Sequence, residues 1–111
     1  MAWQGTGIAL ATLLPGSTRE VMVGATSILV ANLGTTVSAV EATCPHIGGL
    51  LADGTLEGRH LTCPEHAAVF DVADGKVVAD PFGVQPPEGG VDPIKVYPVR
   101  VTSGMIEIDL P

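Results

Sequence analysis

Two short stretches of this chain carry side chains that bind metals. Cys44-Pro45-His46 is followed, after 16 residues, by Cys63-Pro64-Glu65-His66. Each stretch offers one thiolate and one imidazole, both good ligands for zinc and iron. A lone cysteine is usually a small buried hydrophobe, and a lone histidine usually a surface residue. Two matched stretches, each with a proline after its cysteine, point instead to a metal site. A tetrahedral zinc ion would use all four ligands, but paired zinc ligands usually stand further apart than Cys44 and His46. A two-iron cluster fits better, with Cys44 and Cys63 on one iron and His46 and His66 on the other. Each stretch then feeds both irons, which accounts for the alternation of Cys and His.

These stretches need a frame, and the flanking thirds of the chain supply strands. Glu20–Val23 ends at Gly24, Ser27–Ala31 ends at Asn32-Leu33-Gly34, and Thr36–Val40 leads towards Cys44. Ile8–Leu14 reads as a further strand. Near the C-terminus, Lys95–Val101 is a strand in which Pro98 argues for an edge position. Ser103-Gly104 is a turn, and in Met105–Leu110 the residues Ile106, Ile108 and Leu110 alternate with Glu107 and Asp109. Nothing shows a sustained helical period. Between Cys44 and Gly90 the sequence is dense in Gly, Pro, His and acids, with apolar runs too short to form a core alone. That segment needs either the flanking sheet beneath it or a metal staple.

Composition agrees with one small all-β domain. The 111 residues are 46% hydrophobic and 15% charged, which argues against intrinsic disorder, and 14 Gly with 9 Pro suit short strands and tight turns. Twelve acids against five bases give a net charge of −7. Nucleic acid and anionic membranes are therefore disfavoured as partners, and basic protein surfaces favoured. No apolar run is long enough to span a membrane. Ile8–Leu14 lacks the basic start of a secretory signal, since the first basic residue is Arg19. A cytoplasmic protein with reduced thiols is expected.

The two ligand stretches resemble the signature of the Rieske [2Fe-2S] proteins. The likeness extends to Leu51 and Gly54 after the first stretch, to Phe70-Asp71-Val72 with Gly75-Lys76 after the second, and to Val96-Tyr97-Pro98-Val99. It is strongest to the small Rieske ferredoxins of bacterial oxygenase systems. The resemblance implies one [2Fe-2S] cluster per chain, bound by Cys44, His46, Cys63 and His66. It also implies an all-β antiparallel sandwich or barrel over residues 1–111, with a cluster-binding insertion at about 42–80. Unlike respiratory Rieske proteins, this chain has no second cysteine pair. Ala67, Ala68 and Val69 carry no hydroxyl to bond cluster sulfur, so the potential should lie near about −150 mV, the low end of the range. Ala67 also replaces a usual glycine. The stretch Asp80–Asp92 is longer than the cluster-covering loop of many relatives, leaving Pro81, Pro86 and Pro87 as candidates for that cover.

Other residues have plainer readings. His60, between Arg59 and Leu61 at an expected strand start, is expected on the surface, Trp3 and Tyr97 in packing, and Met22 and Met105 in the core. Asp53, Glu57, Glu65, Asp71, Asp74 and Asp80 fall in the cluster-bearing segment and could form a negative docking rim. A hydrophobic tip of Ile47, Pro64 and Phe82 is the rival docking surface.

No nucleophile, general acid or phosphate loop is evident, so the protein is expected to be an electron carrier and not an enzyme. On the resemblance, it is a monomer that takes one electron from a flavin-dependent ferredoxin reductase. It passes that electron to a terminal oxygenase, an aromatic-ring hydroxylating dioxygenase. A ferredoxin for a di-iron hydrocarbon monooxygenase is the alternative. A module like the nitrite-reductase small subunit, or a zinc-stapled interaction domain, is a weaker one.

Overall fold

A computed structural model describes residues 2–43, 51–63, 68–79 and 94–110. Eleven strands fall into three antiparallel sheets among the described residues. The first sheet has the order β1 (Ala2–Ala9), β11 (Met105–Leu110), β10 (Val99–Thr102). The second has β2 (Thr18–Val23), β3 (Thr26–Asn32), β4 (Val37–Glu41), β9 (Val96–Tyr97). The third has β5 (Thr55–Glu57), β6 (His60–Thr62), β7 (Val69–Asp71), β8 (Val77–Ala79).

The second sheet is the shared wall. Ile28, Leu29, Val30 and Ala31 of β3 are all at 0% exposure, because successive residues enter opposite cores. Ile28 and Val30 pack with Ile8, Ala39, Ile106 and Ile108 against the first sheet. Leu29 and Ala31 pack with Val40, Leu51, Leu61, Phe70 and Val72 against the third. In β11, Ile106, Ile108 and Leu110 are buried as expected, but Asp109 is buried too at 7% exposure, so the alternation stops there; the Ser103-Gly104 turn closes the hairpin with φ of 52° and 78°.

Several expectations need correction. Ile8–Leu14 is not a strand: β1 begins at Ala2 and stops at Ala9, and a 3-10 turn covers Leu10–Thr12. A register shift between Gly5 and Ala9 distorts the strand end, where Gly7 has a φ of 77°. Lys95–Val101 is not one strand but two. Pro98, which has no N–H to give, is the corner where the chain leaves the wall at β9 and joins the first sheet at β10. Its carbonyl still accepts the Asp109 N–H at 3.0 Å. Met22 and Met105 are 61% and 39% exposed, since β2 is an edge strand and Met105 lies at the mouth of a hairpin. Trp3 is likewise half out of the core, stacked under the Arg100 guanidinium at 4.4 Å. Of the third sheet, only the strand start at His60, where β6 begins, is expected from sequence.

Because Leu29 belongs to the wall's third-sheet side, Leu29→Ala should cost about 2–5 kcal/mol. Chemical denaturation should show the loss, with protection of Leu61 and Phe70 amides falling before that of Ile106 and Ile108.

Candidate metal centre

Of the four candidate ligands, Cys63 is described; Cys44, His46 and His66 lie outside the described residues. Cys63 follows β6 directly and is buried at 1% exposure in the core of Leu51, Leu61, Ala68 and Phe70. Its backbone N–H donates to the Ala68 carbonyl at 2.7 Å, which closes the 63–68 loop across the ends of β6 and β7. A thiol held in this dry setting suits an iron–sulfur ligand better than an exposed nucleophile.

The first ligand loop is tied to the same end of the third sheet. Ala42 accepts the Leu51 N–H at 3.0 Å, so the chain leaves the wall before Cys44 and returns to it at Leu51. The 3-10 turn Leu51–Asp53 then places Gly54 against β6. A Cβ on Gly54 would collide with the carbonyl oxygen of Thr62, the residue before Cys63. Backbone closeness of this kind needs glycine, whatever the φ. The loop entrances at Thr43 and Leu51 and the second loop's ends at Cys63 and Ala68 are thus fixed on one frame. The described residues fit a [2Fe-2S] cluster: Cys63 is buried in an apolar setting, and the chain ends at Thr43, Leu51 and Ala68 are held on the same frame.

At the opposite end of the third sheet lies a carboxylate cross-tie. Asp71, 5% exposed, accepts the Ala73 N–H through Oδ1 at 2.9 Å and pairs through Oδ2 with Arg59 Nε at 2.8 Å. One side chain thereby joins the β5–β6 turn to the β7–β8 turn. Gly75, with a φ of 81°, completes the second turn, and its carbonyl accepts the Ile94 N–H at 3.0 Å where the chain re-enters the described region. The expected acidic rim is therefore corrected. Asp71 is a structural anchor rather than a rim residue, and exposed Glu57 and Asp74 stand at this far end, beside the turns. Asp53, exposed, is at the Cys63 end, while Glu65 and Asp80 lie outside the described residues. His60 is exposed, as expected, in the middle of the sheet edge row formed with Glu57 and Asp71. The Arg59–Asp71 tie had no sequence signal beyond the position of Asp71 in the Phe70-Asp71-Val72 motif. Ile47, Pro64, Phe82 and the candidate cover prolines Pro81, Pro86 and Pro87 are likewise outside the described residues.

Comparison with known proteins gives the class. The Rieske [2Fe-2S] domain matches residues 8–98. The chain belongs to the Rieske [2Fe-2S] domain family, and its cofactor is a [2Fe-2S] cluster. It is 31% identical over 103 residues to the ferredoxin component of the naphthalene 1,2-dioxygenase system of Pseudomonas putida, spanning 93% of this chain and 91% of the relative. It is 33% identical over 101 residues to Ferredoxin CarAc of Metapseudomonas resinovorans, spanning 90% and 87%. Among solved structures it is similar to the complex of reduced oxygenase and oxidised ferredoxin in carbazole 1,9a-dioxygenase. That match has a TM-score of 0.82 at 31% identity and covers 96% of this chain and 91% of the matched one. The protein is an electron carrier, not a catalyst.

Gly54→Ala tests how the first loop is seated. Forcing Thr62 and Leu51 apart should destabilise the fold by about 1–3 kcal/mol. Thermal melts followed in the visible region should show cluster loss at lower temperature than in the wild type.

Proposed function

We propose that this protein is the ferredoxin of a bacterial oxygenase system. It takes one electron from a flavin-dependent ferredoxin reductase and delivers it to a terminal oxygenase, an aromatic-ring hydroxylating dioxygenase. The observation that carries this reading is the similarity, over nearly the whole length of both chains, to a ferredoxin whose structure was solved with its oxygenase. In this reading Cys44 and Cys63 hold one iron and His46 and His66 the other. The cluster supplies a one-electron acceptor and donor at low potential. The chain's own work is to hold it: the wall and the third sheet fix both loop roots, and burial of Cys63 keeps water from the sulfur. Residues 1–111 act as one domain, with 42–80 the cluster-binding insertion, and the protein works as a cytoplasmic monomer. Among the described residues no helix is long and apolar enough to cross a membrane.

Purified protein should hold about two irons and two acid-labile sulfides per chain, and once reduced should support turnover by a ring-hydroxylating dioxygenase. One zinc per chain, or failure to reduce any oxygenase component, would contradict the proposal. Electrostatic steering should make the transfer rate fall as salt rises, since the Debye length shrinks to about 3 Å at 1 M. Because Asp53 is at the loop end and Glu57 and Asp74 are not, Asp53→Asn should slow association more than Glu57→Gln with Asp74→Asn. Stopped-flow oxidation of the reduced protein measures both; rates indifferent to salt would favour the hydrophobic tip.

A further inference from the structure

Asp71 is a buried charge that the electron-transfer role described above leaves without a use. Its side chain is 7% exposed, while that of its partner Arg59 is 61% exposed, at a separation of 2.8 Å. The pair is therefore asymmetric. Water screens the exposed guanidinium more strongly than the buried carboxylate, whose field is therefore the longer-ranged of the two.

Placement along the strands adds to that asymmetry. Asp71 stands opposite His60, and Cys63 lies three residues further along β6. At about 3.3 Å per residue along the strand and about 4.8 Å between strands, the Asp71 backbone is about 11 Å from that of Cys63. Arg59 lies on the other side of His60, one residue further from Cys63 than Asp71's register partner. The cation is the better solvated member of the pair, so its field at Cys63 is the more strongly screened, and the pair presents net negative charge there.

We propose that Asp71 is a tuning residue for the electron-transfer reaction: its buried carboxylate disfavours the added electron and holds the reduction potential down. The assignment rests on the reading of Cys63 as an iron ligand. It also supplies a cause for low potential separate from the missing hydroxyls of the 67–69 stretch. Neutralising a charge at this distance should change the balance of oxidised to reduced protein at fixed poise by about tenfold, taking an effective dielectric constant of about 20.

Midpoint potentials of the cluster-loaded wild type, Asp71→Asn, Arg59→Gln and Glu57→Gln, read by visible spectroelectrochemistry, test this. Asp71→Asn should raise the potential with the visible spectrum unchanged, and the rise should persist in about 1 M salt. Glu57→Gln, which removes an exposed carboxylate from the same strand row, should give a smaller rise that salt abolishes. Arg59→Gln leaves the carboxylate in place and should hold the potential at or below the wild-type value. A cluster-loaded Asp71→Asn protein at the wild-type potential would overturn the assignment. So would an equal rise in Arg59→Gln, because loosening of the cross-tied turns would then be the cause. Should Asp71→Asn fail to fold, Arg59→Gln decides alone, a rise overturning the assignment and its absence upholding it. A wild-type protein without cluster absorbance would overturn the ligand reading itself.

Discussion

Burial of one sheet on both faces is the constraint from which the rest of this structure follows. A strand with apolar residues on one face needs one partner layer; β3, apolar on both, needs two. The terminal strands β1, β10 and β11 cover one side. The other side is covered by the segment around and after the ligand stretches, whose short apolar runs contribute Leu51, Leu61, Phe70 and Val72, all at 0% exposure. The insertion has no core of its own and shares that of the wall.

Sharing the core has a chemical consequence. Both ligand loops start and finish at backbone atoms that the wall or the third sheet holds: Ala42 with Leu51, and Cys63 with Ala68. The ends of both loops are then set by packed strands instead of by loop sequence alone, as a site needing fixed geometry requires. Glycine at position 54 permits the close approach, and Cys63 is delivered into apolar surroundings. The opposite end of the sheet is closed by Asp71 and Arg59, so the short strands between are pinned at both ends.

Much of this was legible in the sequence, and the gaps have physical causes. The candidate ligands stood out because Cys and His at matched short spacings serve few purposes besides holding a metal. Strands β2, β3, β4 and β11 were readable from their apolar runs and turns. Beyond the strand start at His60, the third sheet escaped notice because strands of three residues show at most one period of alternation, too little to separate from loop. Met22 and Met105 were misplaced because a strand's apolar residue reads the same on an edge as in a core. Pro98 does sit at sheet edges, since β9 and β10 are both edge strands, but sequence could not show that it divides one apparent strand between two sheets. Asp71 looked like any other acid; only the fold shows it buried against Arg59.

The central claim is that two imidazoles and two thiolates from these loops share one iron pair. Electron spin-echo envelope modulation on the reduced protein, with nitrogen-15 introduced only into histidine, tests it most directly. Strong couplings from two directly bound histidine nitrogens are expected, one of which disappears in a His46 or His66 variant that retains iron. A reduced cluster with no bound-histidine nitrogen coupling would contradict the claim, as would a protein that takes up zinc and gives no signal at all.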